Sequence, residues 1–434
     1  MRMRRPPAFG IPLAWNRASG ETVDAPPRRR SASRMTRTPW LAALILSTLV
    51  QMAGSFMSQS VPVVGPLLTA TMGVEASRIG HLTALVSFGS VVFLALGTPL
   101  VVRLGPTRAL QLSVCAGAGA LVAVTMGAWP AAMLGAWMMG LSYGPVPPGT
   151  TRLLGATAPA RHRGLIFSLK QAGAQAGGVL AGLILAPIAA RLGWQAALFT
   201  AAATGVAAGA AVFAFRGLFG IGRDPSRALF HASNLRAPFA AIAGDAHLIA
   251  LTVLTTAFAV AQGCLFYFCV TFLSVEHGTG LVAAGIAYAC MQGGAMVGRV
   301  VLGFMADRSG DVMRNLLAQA LVCAALALVW SNIALPQGAW WVGVLAFAVG
   351  AVAASWNGLV LSEIARLAPA EKVADAAAGS TMISFCGYVF GPALFSLGVH
   401  YFGEWRTPYA IVAAQLALTA LILPAWLRRS YRIA

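Results

Sequence analysis

Charge is what this sequence has least of. Only 10% of its 434 residues are Asp, Glu, Lys or Arg, and just 12 are acidic. A soluble domain carries about 25% charged residues, so a chain this poor in charge could not cover its surface in water. Lysine is nearly absent: Lys170 and Lys372 are the only two among 30 basic residues. The six cysteines (Cys115, Cys264, Cys269, Cys290, Cys323, Cys386) have no CxxC spacing and all fall in apolar runs, which argues against a disulfide framework or a zinc site. The six histidines are scattered. No phosphate-cradling GxxxxGK(S/T) loop occurs, so ATP is not expected to be used on this chain. No Ser/His/Asp order or carboxylate pair is set at a shared depth, which argues against an enzyme. Neither metal nor cofactor is expected.

What the sequence has in quantity is hydrocarbon: 58% of its residues are hydrophobic. A membrane-spanning helix needs about 20 mostly apolar residues. Twelve such stretches are predicted, near 40–68, 78–101, 107–128, 130–155, 164–190, 194–216, 246–273, 281–305, 313–333, 339–366, 376–401 and 407–427. Their glycines and prolines are tolerated in a membrane when neighbours satisfy the freed backbone groups.

The basic residues set the expected orientation. If the amino terminus is cytoplasmic, the segments on that side carry 16 Lys and Arg, besides nine Arg in residues 1–37. The opposite side carries three: Arg78, Arg191 and Arg406. This asymmetry predicts both termini inside, in a bacterial inner membrane. It also accounts for the net charge of +18 without nucleic acid, for which no basic face is available. Residues 1–37 read as a disordered basic tail, with a second candidate start at Met35. Two six-helix halves, 38–216 and 246–427, are expected around a polar cytoplasmic loop, 217–245, with 428–434 as a cytoplasmic end.

An internal repeat supports two halves. At an offset of 205, Gly80, Gly89, Arg103 and Gly105 align with Gly285, Gly294, Arg308 and Gly310. Gln111 and Cys115 align with Gln319 and Cys323 at 208, and Gly140 and Pro159 with Gly350 and Pro369 at 210.

The loop after the eighth stretch reads Gly303-Phe-Met-Ala-Asp307-Arg308-Ser-Gly310-Asp311-Val-Met-Arg314. This resembles the GxxxDRxGxxxx(R/K) signature of the major facilitator superfamily. Gly303 would allow close helix approach, Asp307 could cap a neighbouring helix, and Gly310 would make the turn. The first-half copy, Thr98 to Arg108, keeps Arg103 and Gly105 but has Val102 for the aspartate. The resemblance covers residues 40–427. It implies an all-α membrane protein of twelve helices in two pseudo-symmetric bundles, alternating access around a central site, and gates at these loops. Pro159-Ala-Arg161-His-Arg163-Gly164 and Ser362-Glu363-Ile-Ala-Arg366 resemble the facing gate segments. Glu363 is expected either to pair with Arg308 when that side closes, or to be a solvated carboxylate.

Charges inside a membrane are costly and usually functional. Arg299 lies eight residues before Asp307, about 12 Å up the helix. Tyr288, Gln292 and Arg299 share a helical face. Such a stripe suits a carboxylate, which Arg can grip with two hydrogen bonds. Gly298-Arg299-Val-Val-Leu-Gly303 also resembles the GRxxxG of monocarboxylate transporters and oxalate exchangers, where the resemblance implies that this arginine meets the anion. Ala295 stands where the monocarboxylate branch usually has an aspartate. Alternatively, Arg299 snorkels or braces helices. Lys170, on a polar and small face with Gln171, Gly173, Gln175 and Gly177, is either a second anion contact or an interfacial residue. Gly173 to Gly178 resembles the fifth-helix signature of drug exporters, without its proline. Gln51, Ser55, Gln59, Tyr143, Gln262, Trp356 and Asn357 complete the candidate lining, because the resemblance makes helices 1, 4, 7 and 10 line the cavity. The expected function is secondary transport of a small organic anion by a monomer in the lipid bilayer. The alternative is efflux of an amphipathic drug or metabolite.

Overall fold

In hydrocarbon every backbone N–H and C=O must be satisfied within its own segment, so each apolar run closes into a helix. The computed structural model describes residues 39–159, 162–219, 223–225, 232–333, 340–369 and 371–433, and these contain no strand. The tail expected over 1–37 and the gate residue Arg161 lie outside the described residues.

Twelve spans follow one another. They are α1 (Pro39–Thr71), α2 (Ile79–Val92, a π-turn Phe93–Gly97, then Thr98–Leu104) and α3 (Pro106–Val124). Next come α4 (Trp129–Tyr143 and Val146–Thr157), α5 (Arg163–Leu180, a π-turn Ala181–Leu185, then Ala186–Leu192) and α6 (Trp194–Phe215). The second half has α7 (Ala246–Thr271, then a π-turn Phe272–Glu276), α8 (Leu281–Ser309), α9 (Val312–Ser331), α10 (Trp341–Ala353 and Trp356–Leu367), α11 (Val373–Phe402) and α12 (Arg406–Ile433). Eleven of these are long and apolar enough to cross a membrane. The twelfth, α4, is split at Gly144–Pro145 into two shorter pieces. Within the stretch read as a polar loop the chain forms a further helix, Ala232–Ala243, whose Pro238 carbonyl lies against Gly379 of α11.

Two caps come from carboxylates. Asp245 accepts from the backbone N–H of His247 (2.8 Å) and Leu248 (3.0 Å) to start α7. Asp311 accepts from Arg314 N (2.9 Å) to start α9. Gly105 and Gly310, at φ +82° and +69°, end α2 and α8 in a region that costs other residues a steric clash.

The repeated glycines do the same work in each half. A Cβ at Gly89 or Gly140 would enter the backbone of the other's helix, so α2 and α4 touch backbone to backbone. Gly294 and Gly350 do this for α8 and α10, against Phe347 and Met291. Small residues permit such approach where no hydrophobic force drives helices together.

The bundles meet through the equivalent pair Gly80 and Gly285. Gly80 of α2 packs on Phe268 of α7 and Pro392 of α11, and Gly285 of α8 packs on Gly182 and Ala186 of α5. Both contacts lie in the half of the molecule away from Pro39 and Ile433, the far end. There Gly65 of α1 also abuts Thr271 of α7, and Glu75, between α1 and α2, bonds His400 of α11 at 2.7 Å. The far end is therefore closed. At the terminal end, Gly155 of α4, Gly303 of α8 and Gly358 of α10 face open space.

Candidate functional site

Polar side chains gather at mid-depth, between the closed far end and the open terminal end. Arg299 of α8 stands ten residues above Ser309, about 15 Å along the helix. Its guanidinium is half-buried, and with the Gln175 amide turned to satisfy both neighbours, Nη2 donates to Gln175 Oε1 on α5 at 3.1 Å. The contact crosses from one bundle to the other. Arg299 Nε is buried and has no partner. Among the described residues no carboxylate pairs with Arg299 or Lys170. Lys170 of α5 is buried, and among the described residues its Nζ donates to Thr151 Oγ1 of α4, at 3.4 Å.

The second bundle contributes an aromatic and amide wall. Gln262 Oε1 of α7 accepts from Trp356 Nε1 of α10 (3.1 Å) and from Tyr388 OH of α11 (2.6 Å). Tyr388 lies close to Arg299 and to Asn357 of α10. Trp356 stacks on Phe258 with ring centroids 6.2 Å apart. Tyr267 of α7 stands beside Tyr388 at 6.5 Å, and its hydroxyl meets Ser87 Oγ of α2 at 3.4 Å, a second link between bundles.

In the first bundle Gln51 Nε2 donates to Tyr143 OH (3.0 Å), which ties α1 to α4. Ser55 Oγ donates to the carbonyl of Ala174 (2.6 Å), which ties α1 to α5 and commits its one proton. Gln59 Oε1 is buried without a partner. Tyr288 is wholly buried, and its hydroxyl accepts from Gln292 Nε2 (2.7 Å). It braces Gln292 rather than lining a cavity. Gln292 in turn presses on Gly178 of α5.

At the terminal end the geometry departs from two expected roles. Asp307 is exposed, and the cap of the next helix is Asp311, four residues on. Gly303 makes no close approach, whereas Gly298 does, against the backbone of Ala351 on α10. Glu363 is buried and grips Arg366 of its own helix (2.9 and 2.5 Å), while Arg308 is exposed, as is Arg103. Tyr267 and Tyr388 were not among the candidates: neither lies on the polar stripe of Arg299, which singled out Tyr288. Gln175 carried a signal, its place on the Lys170 face.

Two six-helix bundles, closed at one end around a buried polar site, are the build of a multi-pass membrane carrier. The sequence profile of the Major Facilitator Superfamily matches residues 44–385, and the chain belongs to that superfamily. It is a secondary transporter that carries a small molecule across a lipid bilayer. No curated protein matches it in sequence. Among solved structures it is similar to the nucleoside transporter NupG (16% identity, 88% of this chain and 99% of that one, TM-score 0.74). It is also similar to a bacterial homolog of the human lysosomal transporter Spinster in an inward-facing, occupied conformation (15%, 91% and 98%, 0.71). A third similar structure is the peptide transporter POT in complex with sulfate (15%, 89% and 94%, 0.70).

Proposed function

We propose that the transported molecule is a small organic anion, a carboxylate held by Arg299. The observation that carries this reading is the buried, unpartnered Nε of Arg299 in a site without a compensating carboxylate. An uncompensated charge at this depth is expensive, and an incoming carboxylate would neutralise it with two parallel hydrogen bonds. Lys170 supplies a second positive charge from the other bundle. Tyr388 and Tyr267 would flank the anion, and the Gln262-Trp356 pair would receive its body. The excess of Arg on the terminal side supports cytoplasmic termini in a bacterial inner membrane, which makes the closed far end the outer side and this conformation inward-facing.

Uptake of radiolabelled mono- and dicarboxylates into proteoliposomes tests the reading. Arg299→Ala should lower transport about 10- to 100-fold, the value of charge-assisted hydrogen bonds. Arg299→Lys should recover part of it, because it keeps the charge and loses the fork. Undiminished carboxylate uptake by Arg299→Ala would remove the anchor. The aromatic wall also suits an amphipathic drug or metabolite. Resistance conferred on expressing cells, with no carboxylate uptake, would favour that efflux reading.

A further inference from the structure

A cavity lies apart from the residues of the central site. It has a volume of about 230 Å³ and almost wholly apolar walls, among them Phe93, Leu100 and Leu104 of α2, Leu112 and Ala116 of α3, and Pro145 of α4. Two irregularities line it. The π-turn Phe93–Gly97 begins at its inner end, and α4 breaks at Gly144–Pro145, with Gly144 tight against Phe93. The crevice opens sideways: Leu112 is 57% exposed, and Ala116 and Met138 are exposed beside it. In a membrane protein such a side faces lipid.

Its length and its mouth narrow the occupant. From Phe93 to Leu104 is eleven residues, about 16 Å of helix, close to half of a hydrocarbon core about 30 Å thick. The groove therefore runs from the terminal face to the midplane, the depth of one leaflet. At the terminal end Arg103 and Arg108, both exposed, flank the Leu104-Gly105-Pro106 turn. The central segment brings a third arginine, because Asp224 N–H bonds the Val102 carbonyl at 3.2 Å and so sets exposed Arg223 beside them. Asp224 adds one acid to this group. The equivalent position in the other half offers a contrast: Asp307 stands where Val102 does, and α8 runs without a π-turn.

We propose that the crevice between α2, α3 and α4 is a binding site for one acyl chain of an anionic phospholipid, whose phosphate rests on Arg103, Arg108 and Arg223. A hydrocarbon tail of one leaflet's length ending in a negative charge satisfies both ends of the site at once. The Val102 substitution has a role here: an aspartate at that position would repel the phosphate.

Native mass spectrometry of the full chain in detergent tests this, with phosphatidylglycerol and phosphatidylcholine of identical chains and with glycerol phosphate as a head-only probe. Wild type should retain phosphatidylglycerol about tenfold better than phosphatidylcholine, in line with the attraction of juxtamembrane arginines for anionic lipid. The triple change Arg103→Gln, Arg108→Gln, Arg223→Gln should bring the ratio near one. Ala116→Phe, which fills the crevice, should lower retention of both lipids. Equal retention of the two lipids by wild type overturns the proposal, as does glycerol phosphate binding as well as the lipid. Should Ala116→Phe not fold, the exposed arginine variant decides alone: an unchanged ratio rejects the site.

Discussion

The two bundles share a scaffold and differ in chemistry. Gly89 and Gly140 in the first half, and Gly294 and Gly350 in the second, make the same backbone contact at aligned positions. Around this common frame α2 carries a π-turn and no acid at its terminal end, while α8 is regular and ends in Asp307 and Arg308. The amide and aromatic wall of Gln262, Trp356 and Tyr388 belongs to the second half. The first half answers with Lys170 and a Gln51-Tyr143 tie. Helix contact in a membrane is so constrained that both halves make it alike, whereas the polar side chains between them differ.

The largest effect should come from breaking what the halves share. Gly350→Val and Gly140→Val each drive a side chain into a carbonyl that cannot move. Each should cost more than the roughly 1–3 kcal/mol of ordinary overpacking and remove most folded protein from size-exclusion profiles. Gly303→Val, which meets open space, should leave the profile unchanged. A tolerated Gly350→Val would mean that α8 and α10 do not touch as described.

A smaller effect should separate the halves. Gln262→Leu strands two donors, Trp356 Nε1 and Tyr388 OH, and should raise the transport KM about tenfold, the cost of roughly one to two unpaired buried groups. Gln51→Leu strands one tyrosine hydroxyl and should raise it about threefold. Equal effects would place substrate evenly between the bundles.

The smallest effect should appear at the far-end latch. Burial pulls the Glu75 carboxyl upward, but hydrogen bonds from Ser77 and His400, together with the charges of His400 and Arg78, prevail and hold it below its ordinary value. Its contribution to closure is thus full above that ordinary value and fades as pH falls through the lowered one. His81 is a further titratable group near Arg78 and Glu75, besides His400. Because the pair is largely exposed, Glu75→Gln should raise far-end accessibility to a cysteine reagent by no more than about fivefold. Acidifying wild type from a pH at which His400 carries its proton to one below the lowered Glu75 value should move it the same way. Closure that tightened over that step, or that Glu75→Gln left unchanged, would contradict the latch.

The spans and the repeat were legible because apolar length and glycine spacing are read directly by lipid and by neighbouring backbones. The π-turns in α2, α5 and α7 were not, since they depend on tertiary packing that no local pattern announces. Asp307 and Asp311 show the limit of spacing: both precede α9, and only geometry tells which one reaches its free N–H groups. Glu363 and Arg366, three residues apart on one helix, are readable as a local pair, and only geometry shows that this pair prevails over one between Glu363 and the distant Arg308. Tyr267 and Tyr388 gain their place by facing each other across α7 and α11, which neither residue's surroundings in sequence disclose.

The glycine-to-glycine contact of Gly182 with Gly285 has a kinetic meaning. A seam that must part on every cycle would stick if large side chains interlocked across it. Two bare backbones fit closely yet leave little to pull apart, so this joint can seal against leakage and still release within a turnover.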